Sequence, residues 1–355
     1  MDPRPQEVHV EESVAKPWEW RPSADAWFRS LGDFAKRWQP SPNLGLLSEG
    51  LAARLASAAE SRAPWLLHPV AGVLTAKSNG DHANRDLQLV ARLAAYDTPT
   101  PQTVRTTRDI WVWAPDGGAS LAAGHHSLSD LAAIAGRQAR WPIALDVWCR
   151  SIGFPLEGSW AAKPPASPEE EVALRQEIRM FFRAIVAIER YLPECWHWLT
   201  SLTRVVVPLR TMKGSWESGS STDWPAMVWL HLQDGLQILE GLVHETAHQY
   251  FFLAEAETSL VDPEHTGRYT SPLRPDKRPL RGILLAYHAL AYIAAFYFDA
   301  ARSGLDPARS RSQLQANREK LSDAQATLVA NRRFLTEWGR DFLNRTMEVG
   351  RYSEC

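Results

Sequence analysis

The stretch GLVHETAHQYFF, Gly241 to Phe252, sets two histidines four residues apart inside an otherwise apolar run. On a helix, residues i and i+4 project from one face a turn apart, so His244 and His248 present ring nitrogens toward a common point. Leu242, Val243, Ala247, Phe251 and Phe252 surround them, and imidazoles left without partners among such neighbours are costly to bury. The chain is therefore expected to fold with both rings engaged, either on a metal ion or in hydrogen bonds within the core. Glu245 follows the first histidine on the adjoining flank, where a carboxylate can handle a proton on a bound water.

The remaining composition narrows the classes of function. A chain of 355 residues can bury a large core, as one large or two closely joined domains. A formal net charge of -2 offers no long-range field for nucleic acid or an anionic membrane, so neither is an expected partner. Cys149, Cys195 and Cys355 are widely separated and lack CxxC spacing, which argues against a disulfide framework and against a thiolate zinc site. The N-terminal MDPRPQEVHVEESVAKPWEW has no apolar core of the secretory kind, and the expected location is cytoplasmic. Tryptophan is unusually frequent, at 16 residues. Trp18, Trp20, Trp27, Trp38, Trp65, Trp111, Trp113, Trp141 and Trp148 read as a Trp-rich core with half-exposed indoles, or as the lining of a groove for an extended ligand.

The pattern along the chain predicts an α+β fold, predominantly helical, with the HExxH site on a helix beside a small sheet. Residues 1–165 read as a mainly helical accessory or substrate-recognition region. Helices are expected in SPNLGLLSEGLAARLASAAESR, HANRDLQLVARLAAY and SLSDLAAIAGRQAR, and a strand or hairpin arm in TVRTTRDIWVWAPDGGASLAA. Residues 151–168, rich in proline, glycine and serine, form either the connection to a metal-binding catalytic domain at 166–355 or a long surface loop. A long helix opens at Pro168, with acidic residues in its first turn where the helix dipole favours them. TRVVVPLR and PAMVWLHL read as strands with ESGSSTD as a turn between them. The motif helix follows, with Gly235 and Gly241 as tolerated costs; at Gly241 a close approach by another backbone or a ligand is the expected reason. A long connection, Ser259 to Gly282, leads to the apolar helix RGILLAYHALAYIAAFYFDAAR, and RSQLQANREKLSDAQATLVANRRFLTEWGRDFLN forms a final helix or an antiparallel pair.

Two imidazoles need a further ligand to hold an ion with positions left open. Glu255, Glu257, Asp262, Glu264, His265 and His288 are the candidates. Glu255 lies two turns past His248, too far for the same ion, and His288, alone in an apolar helix, is the preferred third ligand. Arg268, Arg274, Arg278 and Arg281 crowd a proline-stiffened segment between the two helices. Guanidinium groups held there suit a carboxylate, as a 2-oxoglutarate-dependent oxygenase requires.

The blocks SGSSTDWPAMVWL, LVHETAHQYFFLAE and RYTSPLRPDKRPLRGILLAYHALAYIAAFYF resemble the HExxH domain of peptide-modification proteins of ribosomal-peptide clusters, which are 2-oxoglutarate-dependent peptide beta-hydroxylases. The resemblance spans about Val205 to Ala300. It implies Fe(II) held by His244, His248 and His288, with 2-oxoglutarate and O2 as cosubstrates and, for the cosubstrate carboxylate, Arg278 in preference to Arg274 and Arg268. Glu245 becomes a catalytic group managing protons or orienting a ligand, and the substrate a peptide, a ribosomal precursor. Tyr269, His265 and Tyr292 are the candidates for contact with that peptide. The chain departs from the pattern at Leu285, where relatives often carry another histidine. Two other readings use the same residues: a zinc metallopeptidase with Glu245 as general base, and a non-catalytic peptide-binding protein with a structural metal.

Overall fold

A computed structural model describes residues 16–21, 103–106, 110–114, 117–121, 124–127, 144–145, 166–203, 205–210, 218–222 and 226–354. Two short ladders come first. Strands β1 (Thr103–Thr106) and β4 (Gly124–Ser127) pair antiparallel and bracket a hairpin of β2 (Ile110–Ala114) and β3 (Gly117–Leu121). The hairpin expected around IWVWA is present, although the Gly-Gly pair opens β3 and the connection lies before it. The three helices expected between residues 41 and 140 lie outside the described residues, apart from Ser127, which closes β4. So do Trp27, Trp38, Trp65, Trp141 and Trp148.

The larger part is built from six helices and one mixed sheet among the described residues. Ser167 caps α1 (Pro168–Tyr191), its hydroxyl accepting from the Glu170 amide. The acidic first turn and the buried stripe Leu174, Ile178, Phe181, Ile185 and Ile188 are those of an amphipathic helix. A helix that the sequence pattern did not predict follows at once, α2 (Pro193–Leu202), opened by the fixed φ of Pro193. The sheet has the order β5 (Ala144–Leu145), β6 (Val205–Leu209), β8 (Met227–His231), β7 (Ser218–Ser220). β5, β6 and β8 are parallel, and β7 runs antiparallel along the β8 edge. The ESGSSTD segment is thus partly strand, where a turn was expected.

Helix α3 (Gly235–Glu257) carries the motif and lies on this sheet. Its N-cap is Asp234, whose carboxylate accepts from the amides of Leu236 at 3.1 Å and Gln237 at 3.2 Å, a cap that contributes about 1 kcal/mol. At Gly241 the close neighbour is a side chain and not the backbone or ligand that the sequence suggested: a Cβ there would stand 2.9 Å from Leu230 Cδ2 of β8. About two turns on, Gln249 reaches the same sheet, donating to the Met227 carbonyl at 3.2 Å and accepting from the Ala226 amide at 3.1 Å. These bonds hold Ala226 in its left-handed conformation, φ 63°.

Helix α4 (Leu280–Ser303) crosses behind α3 and is buried almost all round, and it ends on Gly304 in the left-handed conformation of a C-terminal cap. It is long and apolar enough to cross a membrane by length and composition, yet 83% of its apolar window is enclosed by the rest of the fold. The last expected helix is two, α5 (Pro307–Ala330) and α6 (Glu337–Tyr352), separated by a short 3-10 turn at Arg332–Phe334. Leu314, Asn317, Leu321, Ala324 and Leu328 form the buried stripe of α5 at spacings of three and four. Gly339 of α6 is where this layer closes on the α3–α4 connection, since a Cβ there would strike the Leu260 carbonyl.

Segments from the first part of the chain are built into this core. β5 pairs with β6, and the short turn Pro17–Glu19 inserts its tryptophan among the helices. Trp18 donates its indole N–H to Asp299 Oδ2 at 2.8 Å and packs edge-on against Trp198. Trp20 lies against Phe342 and His288.

Candidate metal centre

Three faces of α3 set up the centre. Gly241, Glu245 and Gln249, at spacings of four, face the sheet. His244 and His248 form the next stripe, and Ala247 and Phe251 turn toward α4. The period of 3.6 residues makes this separation unavoidable.

The two imidazoles converge as the spacing predicts. His244 Nε2 and His248 Nε2 stand 2.9 Å apart with their rings nearly perpendicular, at 89°. That separation is a hydrogen bond between the rings; two nitrogens bound tetrahedrally to one ion at 2.0–2.1 Å would stand roughly 3.3 Å apart, so a slight opening of the pair would admit one. Burial holds His248 well below the usual histidine range, aided by the nearby His244, His288 and Arg281. The neutral ring it keeps is the form that binds a metal. His248 Nδ1 is buried without a hydrogen-bond partner. The donor pair therefore fits a divalent ion.

Glu245 completes the cluster. Its ligand oxygen and the two ring nitrogens lie within 4.8 Å of one another, and Oε1 is 3.9 Å from His244 Nε2. The carboxylate is nearly inaccessible, at 2% exposure, and both oxygens are occupied: Ser218 Oγ donates to Oε1 at 2.6 Å and Ser220 Oγ to Oε2 at 2.8 Å. The two serines were missed in the sequence. Their signal was the alternation Ser-Gly-Ser, a strand period that places two hydroxyls on one face, hidden by turn-like composition.

The expected third ligand does not join them. His288 is fully buried, and its ring lies among Trp20, Phe251, Tyr292 and Phe342. It leans toward the Ala247 backbone on the α4-facing side of α3, yet neither ring nitrogen makes a hydrogen bond of acceptable geometry. His288 thus neighbours His248 without entering the cluster, whose third potential donor among the described residues is Glu245. The 247/251 stripe lies about 60° round α3 from the 244/248 stripe, and it is the former that the His288 ring meets.

Burial pushes His288 down to about 3, against about 6.5 for an unfolded histidine. Between these values the unfolded chain binds a proton that the native chain refuses. Stability therefore falls as pH drops from about 6.5 toward 3, with a limiting slope of about 1.4 kcal/mol per pH unit from this group. Urea midpoints of wild type and a His288→Gln variant, compared from pH 7 to 4.5, should converge as acid is added; parallel curves would contradict this.

Of the arginines preferred from sequence, Arg268 and Arg278 meet partners within their own segment. Arg268 donates to the Lys277 carbonyl at 2.8 Å, bracing the hairpin of β9 (Arg268–Tyr269) and β10 (Arg278–Pro279). Arg278 Nε sits 3.2 Å from Asp276, although the pair lacks hydrogen-bond geometry, and Arg274 is exposed. The arginine whose charge reaches His248 is Arg281. It grips Glu255 with both arms, at 2.6 and 2.5 Å, and lies over the Phe251 ring at 5.5 Å. Glu255 is thereby placed as a partner for α4 and not as a metal donor, as its two-turn distance implied.

Of the residues expected to contact a peptide, His265 and Tyr269 form a half-buried pair at 2.8 Å, with His265 stacked on Phe334 at 3.9 Å. Tyr292 is enclosed, stacked on Trp198 at 4.6 Å, and is a core residue in this structure.

The chain matches no model of a known protein family, and a search of curated proteins returns no match. The centre is therefore described by its own geometry: a His-Glu-x-x-His metal-ligand cluster on a buried helix beside a small sheet, the donor set of a metalloenzyme active site.

Proposed function

We propose that the chain is a metal-dependent hydrolase acting on peptides, with Glu245 as general base. The observation that carries this reading is the carboxylate inside the cluster, its Oε1 3.9 Å from His244 Nε2. His244 and His248 would supply two of the ligands of a divalent ion, which when bound supplies the Lewis acid that polarises a scissile carbonyl. Glu245 accepts the proton of the attacking water and passes it to the leaving amine. Ser218 and Ser220 fix the carboxylate for that transfer, and the apolar walls of α3 and α4 keep competing water away.

A second reading is supported by the buried, unpartnered nitrogens of His288 next to His248, together with the sequence likeness to peptide beta-hydroxylases. In it the same pair holds Fe(II), with 2-oxoglutarate and O2 as cosubstrates and a ribosomal precursor peptide as substrate. His244 and His248 keep their roles, Glu245 moves a proton or orients a neighbour, and Arg281, whose charge reaches His248, would have to release Glu255 to bind a carboxylate.

One reconstitution separates the two. Metal-free protein is loaded with Zn(II) and given a peptide mixture, and in parallel loaded anaerobically with Fe(II) and given 2-oxoglutarate. Cleavage that depends on zinc is the expected result. A visible charge-transfer band on adding 2-oxoglutarate to the ferrous protein, with no zinc-dependent cleavage, would replace the hydrolase by the oxygenase.

A further inference from the structure

Glu245 differs from its two neighbours in the cluster because both of its oxygens already have partners. Ser218 and Ser220 occupy alternate positions of β7, opposite Leu230 and Val228 of β8, so the pleat turns both hydroxyls toward α3. Gly219 between them faces the other way, where a Cβ would run into the Trp229 indole. The strand is thus pressed from its far side by Trp229 while its near side meets the carboxylate. Of its bonds to Glu245, the one from Ser218 at 2.6 Å has the length of a charge-assisted hydroxyl-carboxylate bond, and the one from Ser220 at 2.8 Å is of ordinary length.

A carboxylate this close to two converging imidazoles is itself a strong ligand for a divalent ion. Its move into coordination would fill a position that substrate or water needs, and would remove the group that handles the proton. We propose that Ser218 and Ser220 hold Glu245 out of the coordination sphere of the metal, keeping it an outer carboxylate and leaving a coordination position open. To bind the ion directly, Glu245 must break one or both serine bonds and leave a buried hydroxyl unpaired. The proposal rests on the two imidazoles taking up an ion and holds for either reaction.

The prediction runs against the usual effect of damaging a site: removing the serines should tighten metal binding. Metal-free wild type, Ser218→Ala, Ser220→Ala and the double variant are titrated with Co(II), which reports by its visible spectrum. The double variant is expected to bind on the order of tenfold more tightly, a change of the size that groups one shell beyond the ligands produce. Its Co(II) bands should shift as a carboxylate enters coordination. Each single variant should show a smaller change in the same direction, which keeps the test open if the double variant does not fold. Adding Glu245→Gln to the double variant should return affinity to the wild-type level, and Ser218→Thr and Ser220→Thr, which keep the hydroxyl, should behave as wild type. Equal or weaker binding with unchanged bands in folded serine variants overturns the proposal. Wild type that takes up no Co(II) overturns the metal centre and the proposal with it.

Discussion

Replacing His248 with alanine should abolish stoichiometric metal uptake while the chain stays folded. The cluster has two imidazole donors, converging to 2.9 Å, and one of them cannot hold an ion with Glu245 tied to Ser218 and Ser220. Affinity should fall by more than about 100-fold, since groups one shell further out typically change it 10–100-fold. The fold should survive because the ring leaves few polar partners stranded. His248 Nδ1 has no hydrogen-bond partner, and its ring packs loosely against Phe252, with centroids 6.3 Å apart. Metal analysis after dialysis, alongside far-UV circular dichroism, checks both halves. One equivalent of ion retained by a folded His248→Ala protein would mean that the ion sits elsewhere.

The second large effect is at Glu245. Glutamine has nearly the shape of glutamate, and a serine hydroxyl can accept as well as donate, so both contacts with β7 can be kept after rotation of one hydroxyl. What is lost is the ability to take a proton. Under the hydrolase reading, Glu245→Gln should lower kcat by about 10²–10⁴, the usual contribution of a general base, with metal content and KM little changed. Steady-state kinetics on the zinc-loaded variant measures it. Turnover within a few-fold of wild type would remove Glu245 as base and move the weight to the oxygenase, whose oxidation does not start from an activated water.

Much of the fold could be read before the structure because local patterns carried it. The stripe of α1, the acidic start after Ser167 and the proline at its first position are strong local signals, and α3 and α4 stood out through long apolar runs. The short α2 did not, because Leu192-Pro193 reads as an ending although the chain restarts a helix there. β7 was read as a turn because Ser-Gly-Ser has turn composition; only pairing with β8 makes it a strand.

The candidate site divides in the same way. The sequence by itself determined the convergence of His244 and His248 and the flank on which Glu245 lies, because a helix of 3.6 residues per turn fixes those directions whatever surrounds it. Tertiary structure alone decided the rest. The way α4 crosses α3 puts His288 in an aromatic enclosure on the Ala247 and Phe251 side, Arg281 grips Glu255 across two helices, and an edge strand brings Ser218 and Ser220 onto the carboxylate. Each of these depends on the angle and distance between elements, which are set by how large side chains such as Leu230 and Trp229 fit opposite Gly241 and Gly219 and have no signature in local spacing.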